Sequence, residues 1–142
     1  MRIAVLSDTH NRLPQSVCDR IRDADEIWHL GDVCLPLILP QLEQIAPLRV
    51  VRGNCDEEMS WPLTLDFELK GVRFHLEHIP SKRPPACDVF LHGHTHVPRD
   101  ETIGKVRFLN PGCITRPRGF GHTFAWLTLE ADRVVRWKLM EV

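Results

Sequence analysis

The chain has no CxxC pair: its five cysteines are scattered at Cys18, Cys34, Cys55, Cys87 and Cys113. This spacing excludes a zinc ribbon or a thioredoxin-like dithiol. It also has no excess of one charge, since 18 basic and 19 acidic residues leave a formal net charge of -1. Strong binding to nucleic acid, which needs a basic surplus, is therefore not expected. The short basic clusters SKRPP and TRPRG are interrupted by proline and read as solvated loops. No apolar run approaches the roughly 18 residues of a membrane-spanning helix, so no membrane partner is expected. Repeats, low-complexity tracts and linkers are missing too. The opening MRIAVLSD reads as a strand rather than a targeting segment. With an odd number of cysteines, it leads us to expect reduced thiols and a cytoplasmic location.

What remains is an ordinary soluble composition, 43% hydrophobic and 26% charged over 142 residues, enough for one domain spanning 1–142. RIAVLS, EIWHLGD and LRVVRGN are short apolar runs that stop at polar turns, the pattern of buried strands. Between them, PQSVCDRIRDA places Val17, Ile21 and Ala24 at helical spacing behind Pro14, and LPLILPQLEQIA is helical over its second half, where Pro40 favours a fresh start or a kink. This βαβαβ opening implies a parallel sheet flanked by helices. The second half changes character. LTLDFELKGVRFHLEH alternates about Lys70-Gly71 as a hairpin. CDVFLHG, ETIGKVRFLNPG and TFAWLTLEADRVVRWKLMEV add strands with turns near Gly104 and Asp132. The total is about ten strands and few helices, an α/β chain best arranged as two mixed sheets with helices outside.

Polar groups collect where the strands end: Asp8 and His10, then Asp32, then Asn54, then His78, then His94 and His96. Ligand sites of open α/β sheets lie beyond the carboxyl ends of strands. The stretch VFLHGHTHVP, residues 89–98, places His92, His94 and His96 on alternate positions, where extended residues share a face. Aspartate, asparagine and histidine together form a mixed oxygen and imidazole ligand set. Seven such residues exceed what one dication needs, so two metals are expected. Two dications about 3.5–4 Å apart repel each other and require a shared anionic ligand, for which Asp32, central in the series, is the natural candidate.

The motifs DTH (Asp8, His10), GD (Gly31, Asp32), GNCD (Gly53, Asn54) and GHTH (His94, His96), in this order, resemble the calcineurin-like metallophosphoesterase family. NPG (Asn110 to Gly112) is similar to a segment of its compact phosphodiesterase branch. The resemblance covers residues 2 to about 118. It implies a four-layer αββα sandwich, with Asp8, His10, Asp32 and His96 around one divalent ion and Asp32, Asn54, His78 and His94 around the other. The implied activity is hydrolysis of small or nucleotide-like phosphodiesters by a hydroxide activated between the metals. Asp32, Asn54 and Cys55 are the catalytic candidates. Manganese is the expected metal, with iron, zinc, cobalt and nickel as competitors. The alternatives are a phosphomonoesterase using the same site and a non-catalytic scaffold of the same fold; a small-molecule phosphoester is the expected partner, and a homo-oligomer is compatible with the sequence.

Two positions depart from the pattern. Larger relatives carry histidine after the asparagine, as GNH, to protonate the leaving group; here Cys55 stands there, a thiol with an ordinary pKa of about 8.5. Relatives also read His-Gly where this chain has His78 before Ile79, and the proline-rich IPSKRPPACD predicts a loop in place of a helix. His75 rivals His78, but three residues along an extended strand face opposite sides, which favours His78. His29 and His92 are either orienting or packed histidines, and His122 reads as a surface turn. Arg116 and Arg118 suit phosphate but read first as solvated, and Trp28, Trp61, Trp126 and Trp137 read as core rather than stacking platforms.

Overall fold

The computed structural model describes residues 1–142, the side chain of Val135 excepted. Ten strands form two five-stranded mixed sheets. The strands of the first are β1 (Arg2–Leu6), β2 (Glu26–His29), β3 (Leu48–Val50), β9 (Thr123–Glu130) and β10 (Arg133–Glu141), in the order β10-β9-β1-β2-β3. β1 pairs in parallel with β2, and β2 with β3, while β9 closes the other side antiparallel to β1. The second sheet is built from β4 (Thr64–Leu69), β5 (Val72–Glu77), β6 (Val89–Leu91), β7 (Arg99–Ile103) and β8 (Val106–Asn110), in the order β4-β5-β6-β8-β7.

The strands buried on both faces are the ones that read as unbroken apolar runs, β1 and β6 above all. β4, at a sheet edge, alternates between exposed and half-buried positions, and the β4–β5 hairpin turns at Lys70 and Gly71 with φ of 50° and 81°. Ile3, Val5, Trp28 and Leu30 from the first sheet meet Phe74, Leu76, Val89 and Leu91 from the second in the core between them. The alternate residues Ala4, Leu6 and Ile27 face outward. They are covered by Val17 and Ile21 at α1 (Gln15–Arg20) and by Leu39 and Leu42 of α2 (Leu39–Glu43).

Both helices are shorter than their patterns predict. α1 gives way at Ile21 to a turn, although the apolar spacing runs on to Ala24. α2, which holds Pro40 in its first turn, is preceded by a 3-10 turn, Pro36–Ile38, that opens on Pro36. The outer side of the second sheet carries the loop 79–88, which contributes Cys87 to a small cluster with Phe90 and Phe108; the prolines of IPSKRPPACD account for the missing helix. Among the described residues no helix is long and apolar enough to cross a membrane. Trp28 and Trp126 are buried, while Trp61 and Trp137 pack half-buried against the two clusters.

Candidate metal centre

β1 and β2 run parallel in register, so their carboxyl ends lie side by side. Beyond them the backbone is stitched across: the Asp8 N–H donates to the Gly31 carbonyl at 3.0 Å, the His10 N–H to the Asp32 carbonyl at 3.0 Å, and the Asn11 N–H to the Val33 carbonyl at 2.9 Å. This brings the DTH and GD segments together. The backbone is bent hard here. Asp8, His10, Asp32, His94 and His96 all adopt positive φ, between 44° and 69°, a conformation that costs a side-chain-bearing residue of order 1–3 kcal/mol. Close approach demands two glycines: a Cβ at Gly53 would overlap Asp32 Oδ1, and one at Gly93 would overlap Ser7 Oγ.

Four imidazoles line the resulting hollow. His96 Nε2 lies 3.1 Å from Asp8 Oδ1. His78 Nε2 lies 3.2 Å from Asp32 Oδ2 and 3.8 Å from Asp8 Oδ1. His10 Nε2 is 3.9 Å from a carboxylate oxygen of each aspartate. The ligand atoms of Asp8, His10, Asp32 and His96 fall within 4.8 Å of one another. His94 stands beside His78, with ring centroids 5.2 Å apart, and its Nδ1 is 3.1 Å from Asn54 Oδ1. His75 points away to Asp66, 2.6 Å from its Nδ1, and packs on Phe90.

The tautomers follow from the outer partners. His78 Nδ1 is 2.7 Å from the Leu30 carbonyl and His96 Nδ1 is 2.6 Å from the Arg116 carbonyl. A carbonyl only accepts, so each Nδ1 carries the proton and each Nε2 turns its lone pair inward. Among the described residues, four buried side-chain polar atoms lack a hydrogen-bond partner: His75 Nε2, which lies 3.5 Å from Glu77 outside the hollow, and Asp8 Oδ1, His10 Nε2 and His78 Nε2 within it. Buried polar atoms are nearly always satisfied. The three in the hollow face one another across a space lined by carboxylate oxygen and imidazole nitrogen, a donor set that fits divalent transition metals.

The titration shifts express the same electrostatic demand. Burial pushes the Asp8 carboxyl up, against the Ser7 hydroxyl and the charges of His78 and His96. Burial also opposes ionisation of Asp32, but the neighbouring His78 imidazole, the Cys55 N–H at 2.9 Å and the charge of His10 outweigh it and hold the carboxyl well below its usual range. At His78, burial disfavours charge, yet Asp32 and Asp8 raise its pKa. A proton on His78 and a divalent cation answer the same need. Burial lowers His10.

Several supporting residues lie outside the ligand set read from the sequence. Asp56, the last residue of GNCD, accepts the backbone N–H groups of Asp32 (2.9 Å), Gly53 (2.7 Å) and Cys34 (2.6 Å), tying the second and third strand ends together. The Asn110 amide donates to the Gly93 carbonyl and Thr95 Oγ1 while its oxygen accepts the Gly112 N–H, which gives NPG its physical reason. Cys34 Sγ is 3.4 Å from His10 Nδ1, and the ligand atoms of His10, Cys34 and Cys55 also group within 4.8 Å. Burial, Cys55 and the charges of Asp32 and Asp56 push the Cys34 thiol up to about 11; burial and Asp32 push Cys55 up as well.

His29 is buried and orients loops: the Gly31 N–H donates to its Nδ1, so its Nε2–H donates to Thr9 Oγ1, and burial holds its pKa down to about 3. His92 Nδ1 meets the Gly93 carbonyl and its Nε2 accepts from Arg99, with burial lowering its pKa to about 4. Neither turns toward the carboxylates. Exposed Arg116 stands close enough for its charge to depress His10. His122 Nδ1 meets the Ile114 carbonyl, away from the centre.

Comparison with known proteins identifies the family and the fold. Residues 1–132 match the calcineurin-like phosphoesterase superfamily domain. A probable metallophosphoesterase of Methanothermobacter thermautotrophicus is 35% identical over 137 residues, covering 83% of this chain and 80% of that protein. The phosphodiesterase YfcE of Escherichia coli K12 is 30% identical over 164 residues, with 93% of this chain and 89% of that protein covered. The YfcE structure superposes with a TM-score of 0.78 at 24% identity over 97% of this chain and 98% of that one. The zinc complex of Vps29 from Entamoeba histolytica shares the fold at a TM-score of 0.80 and 22% identity, covering 100% and 98% of the two chains.

Proposed function

The chain belongs to the calcineurin-like phosphoesterase superfamily, and on that ground we propose that it is a two-metal phosphodiesterase acting on small or nucleotide-like diesters. The observation that carries the reading is the set of partnerless buried atoms, Asp8 Oδ1, His10 Nε2 and His78 Nε2, gathered over Asp32. Asp8, His10, Asp32 and His96 would hold one divalent ion; Asp32, Asn54, His78 and His94 the other, with Asp32 shared. Manganese is the metal we expect to support activity, with iron, zinc, cobalt or nickel able to use the same donors. Bound there, the metals supply Lewis acidity toward a phosphoryl group and acidify water.

The protein's own part is preorganisation and proton handling. The Leu30 and Arg116 carbonyls keep two imidazoles in the ligating tautomer. Asp32 stays ionised through the neutral range, as a bridging group must. The exposed Cys55 thiol, raised by burial and by Asp32, remains protonated and serves as the donor to the departing oxygen. Arg116 adds a cation at the mouth that favours an anionic substrate. We read residues 1–142 as one domain because β10, running to Glu141, completes the same sheet as β1.

Metal counting after mild purification, followed by assays of generic mono- and diesters with added manganese, tests the proposal. Two metals per chain and faster diester turnover are expected. Asp32→Asn should abolish turnover and sharply reduce occupancy of both sites; a variant that kept two metals and full activity would remove Asp32 from the bridging role. An idle scaffold of the same fold would retain metal weakly and turn over neither substrate class.

A further inference from the structure

A cavity of about 430 Å³ opens beside the centre, and Asn54 and His78 form part of its wall. Its volume lies in the range of small-molecule sites. Leu63 and Ile79 project into it, although they are 59% and 52% exposed to solvent. Neither belongs to the clusters between and outside the sheets, so the core does not account for them. Large apolar side chains standing open next to a charged centre are what an apolar ligand group would cover.

The charges of the cavity narrow its occupant. Arg52 lines one side, and among the described residues its guanidinium hydrogen-bonds only the Met59 sulfur, 2.9 Å from its Nη1, and forms no ion pair with a carboxylate. Glu77 lines another side, with Oε1 accepting both the N–H and the hydroxyl of Ser81. One cation and one anion leave the cavity close to neutral, which disfavours a second phosphate and suits an uncharged body. Position settles which part of a diester would lie here. Cys55 groups with His10 and Cys34, and none of these three lines the cavity. Cys55 borders Asn54, whose amide lies 3.8 Å from its sulfur, but the thiol stands on the His10 and Cys34 side and outside the cavity, so a leaving oxygen facing Cys55 leaves the cavity to the substituent that stays on phosphorus.

We propose that this cavity binds the retained substituent of a phosphodiester, an uncharged flat group of aryl or nucleoside type, and so selects diesters over monoesters. The inference rests on the phosphodiesterase reading: water adds to phosphorus, the bond to the leaving oxygen breaks, and the monoester of the retained group is the product. A monoester substrate has nothing to place here.

The test keeps p-nitrophenolate as the leaving group and varies the other substituent through methyl, phenyl, naphthyl and thymidine 5′-yl on the manganese-loaded protein. A rise in kcat/KM of at least about tenfold from methyl to naphthyl is expected from burial of the ring. In Leu63→Ser, Ile79→Ser and the double variant, each compared with its own methyl ester rate, that ratio should collapse. Because both side chains are largely exposed, these changes leave the core intact. A thymidine gain at or above the naphthyl gain assigns the cavity to nucleosides; a gain with aryl groups alone assigns simple aryl esters. In parallel, NMR of the Leu63 and Ile79 methyl groups should show shifts with naphthyl phosphate or thymidine 5′-phosphate and none with methyl phosphate. A flat series with measurable methyl ester turnover, a gain surviving the double variant, or unmoved methyl resonances overturns the inference. Absence of turnover with every diester refutes the phosphodiesterase reading instead, and the methyl shifts then still decide the cavity.

Discussion

Removing the Asp56 carboxylate is the sharpest probe of how the centre is held. One side chain accepts three backbone N–H groups, from Asp32, Gly53 and Cys34, at 2.6 to 2.9 Å. Hydrogen bonds to a charged acceptor contribute about 1.5–3 kcal/mol each, so the gross loss in Asp56→Ala is roughly 5–9 kcal/mol. Asp56 is only half-buried, and water replaces much of this; we expect a net destabilisation of about 2–4 kcal/mol. Asp56→Asn keeps one oxygen. If it occupies the Oδ2 position, the Asp32 and Gly53 bonds survive and only the Cys34 bond is lost, so the cost falls to about 1–2 kcal/mol. Urea denaturation of both variants reads these numbers directly, with the m-value checking that the unfolded state is unchanged. The same N–H groups orient Asp32, so metal affinity, titrated on chelated protein, should fall about 10–100-fold in Asp56→Ala. Wild-type stability and affinity in that variant would refute the view that this carboxylate holds two strand ends together.

Three further outcomes follow from the geometry. Gly93→Ala places a Cβ against Ser7 Oγ and Asp8 Oδ2, and should cost about 1–3 kcal/mol and most of the activity; adding Ser7→Ala should restore part of the stability in a double-mutant cycle, and strict additivity would refute the contact. Arg107 binds Asp100 through two bonds of 2.9 and 2.8 Å, which holds the Asp100 carboxyl below its usual range. A carboxyl with a depressed folded-state pKa contributes stability above its unfolded value of about 3.9 and loses it as pH falls through the folded value. Asp100→Asn should therefore cost about 0.5 kcal/mol at pH 7, the side chain being 44% exposed, and progressively less as the pH falls below about 3.9; thermal melts across that range measure the difference. Cys55→Ala should leave aryl esters with good leaving groups nearly unaffected and slow alkyl esters more than tenfold; equal losses across a leaving-group series would remove the thiol from the proton-donor role.

The strands and the positions where they end were legible in the sequence because burial writes itself as period and apolar run length. The choice of His78 over His75 came from strand alternation, and the structure turns the two rings to opposite sides. The helix ends were not legible. At α1 the apolar spacing continues to Ala24, but the backbone leaves the helix at Ile21, which keeps its side chain in the outer core without the helical turn. Asp56 and Cys34 were invisible for a different reason. Apart from Gly53, three residues before Asp56, their partners are groups more than 20 residues away, and such contacts leave no period or spacing to read. Thr9 and His29 meet in the same way.

The left-handed bend at Asp8, His10, Asp32, His94 and His96 also restricts which amino acids can occupy those places. Among side chains able to grip a cation, aspartate, asparagine and histidine are the ones enriched in that backbone region. The loops thus filter their own chemistry: a mutational library at these five sites should yield folded chains with those three residues and glycine, and lose those with β-branched replacements before metal is ever added.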